Sequence, residues 1–247
     1  MGKERVRRTT GSGLTVVARL LIHVEGQTEE DFVNDVLRNY LVGQGYHSVD
    51  ARLVGNARLR ERRGGIRPWP PVKRDITNHL REDQGCVATT MVDYYALPQS
   101  GAGAWPGRAQ SKGLRTIEQK ALCVQTAVRD DLVAEMGNRF DSDRFVPFVV
   151  MHEFEGLLFS DCVAFSHGIG RSDLEPRFRM IREQFATPEE INDSPDTAPS
   201  KRIEALVPGY EKPLLGVLAV LEIGLPAIRK ECPLFNGWLK KLESLAR

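Results

Sequence analysis

The sequence predicts an α/β fold: a mainly parallel four-stranded sheet flanked by helices, with a C-terminal helical extension. Three observations predict it. Dense apolar runs of strand length occur at 16–24, 86–92 and 145–151, with a weaker one at 46–54. Segments with apolar residues at helical spacing separate them. The strong runs lack the apolar–polar alternation of a half-solvated sheet, so they read as strands buried on both faces. Strands that alternate with helices assemble into a parallel sheet covered on both sides.

Residues 1–13 are basic and polar, and Gly11-Ser12-Gly13 marks the end of an expected disordered tail. The core is expected over 14–165. Its first strand, 16–24, runs into a turn and then a helix, with Thr28 as N-cap and Glu29, Glu30 and Asp31 in the first turn. Phe32, Val33, Val36, Leu37, Tyr40 and Leu41 give that helix its apolar face, and Gly43 and Gly45 end it. Residues 55–74 are rich in Arg and Gly and poorly periodic. A short helix follows at 72–83, the third strand at 86–92, and a long loop with Gly, Pro and Ser at 96–113. Leu114 to Met136 reads as a long amphipathic helix. The fourth strand, Phe145 to Met151, leads into His152-Glu153-Phe154-Glu155-Gly156. Residues 166–247 read as helical, punctuated by prolines.

The chain has 247 residues, 41% hydrophobic and 27% charged, with a net charge of +1. That is an ordinary globular composition and does not by itself mark a nucleic-acid binder. The four cysteines are scattered without a C-x-x-C pair, which excludes a sequence-readable zinc site and suggests buried thiols. No secretory signal is visible, and no segment has the roughly 20 apolar residues of a membrane helix. A cytoplasmic protein without membrane contact is expected. No G-x-x-x-x-G-K-[ST] loop or G-x-S-x-G elbow occurs, which argues against a self-contained ATPase or a Ser-His-Asp hydrolase.

Carboxylates follow three of the predicted strands: Glu25 the first, Asp93 the third, Glu153 and Glu155 the fourth. In a parallel sheet these ends share one edge, where ligands bind. Converging carboxylates repel one another unless they are protonated or hold a cation. Their hard oxygens suit Mg²⁺ or Mn²⁺, with Ca²⁺ also admissible. Such an ion activates water and stabilises charge on a phosphodiester, alone or as a two-metal pair. Glu29, Glu30 and Asp31 read more simply as charges at a helix N-terminus. His152 is as well read as a satisfied structural histidine as a ligand.

Val24-Glu25-Gly26-Gln27-Thr28-Glu29 resembles the first motif of the Toprim domain of topoisomerases, primases and OLD-family nucleases. Asp93 resembles the first Asp of that domain's D-x-D motif, with Tyr95 where the second would fall. The chain as a whole resembles an uncharacterised prokaryotic Toprim-like family. The marks are that first motif, Asp93-Tyr94-Tyr95-Ala96-Leu97-Pro98, the run Met151 to Phe159, and Thr197-Ala198-Pro199-Ser200-Lys201-Arg202. The resemblance implies a metal-dependent nuclease. Glu25 would be acid/base or ligand, Asp93 a principal ligand, and Glu153 or Glu155 the replacement for the carboxylate that Tyr95 lacks. It also implies a catalytic lysine near the scissile phosphate, for which Lys201 is the candidate, and an ATPase partner in a prokaryotic defence-type system.

Residues 52–74 set eight cations against the single acid Glu61. Arg58, Arg60, Arg62, Arg63 and Arg67 are expected to meet phosphates, with Trp69 stacking on a base. Trp105-Pro106-Gly107-Arg108 would form a second lip, bringing Arg108 and Lys112 to the same strand. A solvated loop with a packed Trp is the plainer reading of this block. Two functions remain in play: a nuclease of DNA or RNA, and a non-catalytic Toprim module binding nucleic acid or protein. Phosphoryl transfer on a small nucleotide suits the large cationic loop less well. A homo-oligomer is compatible with either.

Overall fold

The computed structural model describes residues 18–54, 65–191, 194 and 196–246. Four strand positions build one parallel sheet. Strands β1 (Arg19–Val24), β2 (Ser48–Leu53) and β3 (Cys86–Asp93) lie in the order β2-β1-β3. Strands β4 (Phe145–Val146) and β5 (Val149–Val150) both pair with β3. All pairings are parallel, with Val24 opposite Met91 and Asp93 opposite Val150. The fold is therefore mixed α/β with a parallel sheet flanked by helices, consistent with a Toprim-like arrangement.

The fourth strand is split because Pro147 has no N–H for the ladder. Two threonines of β3 replace the missing bonds. The Thr89 hydroxyl donates to the Val146 carbonyl. The Thr90 hydroxyl donates to the Phe148 carbonyl at 2.8 Å and accepts the Phe148 N–H at 3.0 Å.

The helices are α1 (Gln27–Phe32), α2 (Arg38–Gly43), α3 (Trp69–Glu82), α4 (Arg108–Ser111), α5 (Ile117–Met136), α6 (Cys162–Gly168), α7 (Glu175–Arg182), α8 (Pro199–Leu206), α9 (Lys212–Glu231) and α10 (Pro233–Leu245). A π-helical turn, Val33–Leu37, joins α1 to α2, so the expected first helix is one continuous rod with a local bulge. Its N-cap is Gly26 rather than Thr28, which lies buried inside the first turn.

Strand alternation divides the interior in two. Leu20, Ile22 and Val24 face one side with Val87 and Met91, against α1, α9 and α10. Cys86, Ala88 and Val92 face the other side, with α3 and α5. His23 also takes the second side. It is 2% exposed and sits 3.2 Å from both the Thr89 carbonyl and His79. Burial lowers its pKa to about 3, so it is a neutral structural histidine. Cys86, Cys162 and Cys232 are buried as expected, whereas Cys123 is only half-buried.

The C-terminal helices belong to the same core as the sheet. Trp238 stacks on Phe148 at 4.6 Å and donates its indole N–H to Thr89 Oγ1 at 2.8 Å. Tyr46 donates to the Leu242 carbonyl at 2.8 Å. Gly45, at φ +124°, meets Ala246 so closely that a Cβ would lie 2.3 Å from its carbonyl oxygen. The buried Glu189 carboxylate caps α10 by accepting the Leu234 and Phe235 N–H groups at 2.9 and 2.8 Å. The expected boundary at 165/166 falls inside α6. The expected tail, 1–13, lies outside the described residues.

Candidate functional site

Parallel pairing places the ends of β1, β3 and β5 on one edge, and backbone bonds tie them together. Glu25, the first residue after β1, accepts the Asp93 N–H through Oε2 at 3.3 Å. Asp93, the last residue of β3, accepts the Phe154 N–H through Oδ1 at 2.9 Å. The Tyr94 and Tyr95 N–H groups continue the ladder to the Val150 and His152 carbonyls at 2.9 and 3.1 Å. The turn carrying Glu153 and Glu155 is thereby fixed beside Asp93. Glu153 is buried and accepts the Ser200 N–H, at the start of α8, at 3.0 Å.

These carboxylates feel one another. Burial raises Glu25 to about 7, and the Glu155 charge adds to it. Burial also holds Asp93 well above the usual carboxylate range, reinforced by Glu25, Glu29, Glu155 and Glu153. Glu155 is raised chiefly by burial and also by Glu153, with Lys212 opposing.

Two members were not read from the sequence as parts of this site. Glu29 is 6% exposed, and its Oε2 accepts the Gly26 N–H at 3.0 Å. Burial, then the charges of Glu25 and Glu155, push it up to about 7. It closes the helix N-terminus and faces the acidic edge at once. Its spacing of four residues from Glu25, across a Gly turn, was the available signal. Lys212, the first residue of α9, holds its ammonium 3.1 Å from Glu155 Oε1. Burial would lower its pKa, but Glu155, Glu153 and Asp93 outweigh burial and hold it above its usual value. A cation at a helix N-terminus opposes the helix dipole, and that mismatch was legible in Lys212-Pro213.

The expected lysine lies elsewhere. Lys201 is half-exposed and pairs with Glu204 at 2.7 Å, while the backbone N–H of its neighbour Ser200 faces the site.

The cationic lips also differ from expectation. Arg58, Arg60, Arg62 and Arg63 lie outside the described residues. Arg67 is half-buried, and its carbonyl accepts the Trp105 indole N–H at 2.9 Å. Trp69 is 3% exposed, donates to Asp131 at 2.6 Å, and packs 4.9 Å from Trp105. Neither ring is open to a base. Arg108 is buried, not lipside: it stacks 3.9 Å over the Tyr94 ring and donates to the Tyr94 carbonyl and hydroxyl at 3.0 and 3.1 Å. It braces the turn after Asp93 from within. Lys112 is exposed.

The donor chemistry fits a hard divalent ion, with Glu25, Asp93 and Glu155 as the central oxygens and Glu29 and Glu153 beside them. Among the described residues, no three His, Cys, Asp or Glu side chains already stand at the spacing that encloses an ion. Loading would require carboxylates to turn from the backbone N–H groups they now accept. Among the described residues, no helix is long and apolar enough to cross a membrane.

No curated protein and no solved structure matches the chain. A family model described as "Domain of unknown function (DUF4276)" matches residues 24–243, nearly the whole sequence, and the chain belongs to that family.

Proposed function

We propose that the acidic edge binds Mg²⁺ or Mn²⁺ and that the protein cleaves phosphodiesters of DNA or RNA. The observation that carries this reading is the joining of three strand ends through Asp93, whose N–H meets Glu25 and whose carboxylate meets the 153–155 turn. Acids gathered from separate strands at the carboxyl edge of a parallel sheet, part-buried or buried there at energetic cost, argue for use rather than accident.

When bound, the ion would supply Lewis acidity towards a phosphodiester oxygen and lower the pKa of a coordinated water. Asp93, Glu25 and Glu155 would hold it. Glu29, buried beside the ligand carboxylates, would be placed to accept a proton from an attacking water. Lys212 takes the role of the phosphate-facing cation first expected of Lys201. The Ser200 N–H keeps Glu153 oriented. A nucleic-acid substrate, an ATPase partner and a cytoplasmic defence-type setting belong to this same reading.

A second reading is favoured by one observation. Lys212 already neutralises Glu155 from within, which suits a non-catalytic module that binds nucleic acid or protein. Mn²⁺-dependent cleavage of plasmid DNA and of single-stranded RNA separates the two. The nuclease reading expects cleavage by the wild type and its loss in Glu25→Ala and Asp93→Ala. Cleavage that survives both substitutions refutes the site. Asp93-dependent Mn²⁺ binding without cutting favours the module.

A further inference from the structure

Helix α9 is broken before its last two turns. Gly224 takes φ +75° and ψ 151°, outside the helical range, and Pro226 follows at the start of the remaining stretch to Glu231. A pocket of about 480 Å³ opens at this break, against α2 and α10 and at the opposite end of α9 from Lys212. Its volume is that of a small-molecule site. Leu225, Pro226 and the Tyr40 ring supply an apolar wall.

The charge of this pocket is one-sided. Arg229, Lys230 and Lys240 line it, and among the described residues no Asp or Glu does. Arg229 is fixed in advance. Its Nε donates to Asn236 Oδ1 at 2.9 Å, and its Nη1 donates to Glu243 at 2.6 Å and to the Tyr40 hydroxyl. Its Nη2 keeps two N–H groups that have no partner among the described residues and are not sealed from solvent. The Asn236 amide nitrogen also lacks an acceptor among them. Lys240 is exposed and pairs with no acid among them, and Lys230 reaches only Glu231, at 3.6 Å. The unpaired side-chain groups around the apolar wall are therefore all donors.

We infer that this pocket binds a phosphate monoester with an apolar ring, the chemistry of a nucleoside monophosphate. Phosphoryl oxygens accept hydrogen bonds and donate none, which matches the Arg229 edge and the two ammonium groups. A guanidinium already held by three partners loses little freedom on binding, which favours it as the anchor. The ring of the ligand lies against Leu225 and Pro226. The site stands apart from the acidic edge and does not rest on the metal reading.

The test titrates 1-naphthyl phosphate into the full chain by calorimetry, in EDTA, so that no divalent ion draws the anion to the acidic edge. Two variants at exposed positions report on the two halves of the pocket. Lys230→Glu/Lys240→Glu reverses its charge. Pro226→Glu sets a carboxylate on the apolar wall, at a helix start where an acid suits the dipole. The expected result is saturable binding by wild type, weaker by about tenfold in each variant, with Tm within about 2 °C of wild type. Lys230→Gln/Lys240→Gln, which removes charge without reversing it, should fall between wild type and the Glu pair. Inorganic phosphate should bind about tenfold more weakly than the ester, because it leaves the wall unused. Absence of saturable binding by wild type overturns the inference. Equal affinity in wild type and either Glu variant overturns it, as does a loss that does not grade with charge from Gln to Glu. Equal affinity for the ester and for inorganic phosphate overturns it as well.

Discussion

Raising the pH of the metal-free protein from 5 to 8 should destabilise it, and Mn²⁺ should restore what is lost. Glu25 and Glu29 keep their protons in the folded state up to about 7, against 4.5 ordinarily. Between those values the folded chain binds more protons than the unfolded chain. Stability is therefore fully present below pH 4.5 and falls as pH rises towards 7. One such group, shifted by about 2.5 units, corresponds to roughly 3 kcal/mol at 1.36 kcal/mol per unit. Burial is the main cause of both shifts and the Glu25 charge acts on Glu29, so the two do not titrate independently and about 3 kcal/mol for the pair is the working figure. For a chain of this length that is a fall in Tm of roughly 6–12 °C. Mn²⁺ at about 100 times its Kd returns about 2.7 kcal/mol at pH 8. The assay is calorimetric melting in EDTA and in Mn²⁺ across this range, for wild type and a Glu25→Gln/Glu29→Gln variant. Glutamine cannot ionise, so the variant should show a shallower fall and no rescue. Glu189 titrates over the same window in both proteins and cancels in the comparison. Identical pH profiles for wild type and variant would refute the reasoning.

Two further predictions concern the frame. Glu189→Ala leaves two buried N–H groups at the start of α10 without their acceptor and should cost about 3 kcal/mol in urea unfolding. Arg108→Ala removes both donors to Tyr94 and the cation over its ring and should destabilise by about 3 kcal/mol; Arg108→Lys should restore little, because one ammonium cannot reproduce the guanidinium fork.

The sheet and its acidic edge were legible because parallel strands announce themselves as apolar runs, and the residue after each run falls on a fixed edge. Glu25, Asp93, Glu153 and Glu155 follow from that rule alone. What escaped depends on contacts distant in sequence. Glu29 reads as a helix-end charge until the tertiary fold buries it against Glu25 and Glu155. Lys212 lies in a proline-punctuated helical stretch whose periodicity reports packing only. Lys201 and Arg108 show the converse. A motif places a residue near a site, but the turn of a helix or a neighbouring ring decides where its charged end goes. Trp69 and Trp105 are flanked by proline and look displayed, yet they pack on each other.

The indole of Trp238, bonded to Thr89 and stacked on Phe148, bears on the order in which the molecule is completed. All strands of the sheet leave the ribosome before residues 233–245 do. Until that segment arrives, Phe148 and the face of β3 have no aromatic lid, and Glu189 has no helix to cap. Lys212, the ammonium that offsets Glu155, also emerges long after the acids it balances. During synthesis the acidic edge thus exists first as a bare cluster of repelling groups on a half-covered sheet. The late helices then close over the core and bring Lys212 to Glu155, so the charge of the edge is offset only after its acids have been made.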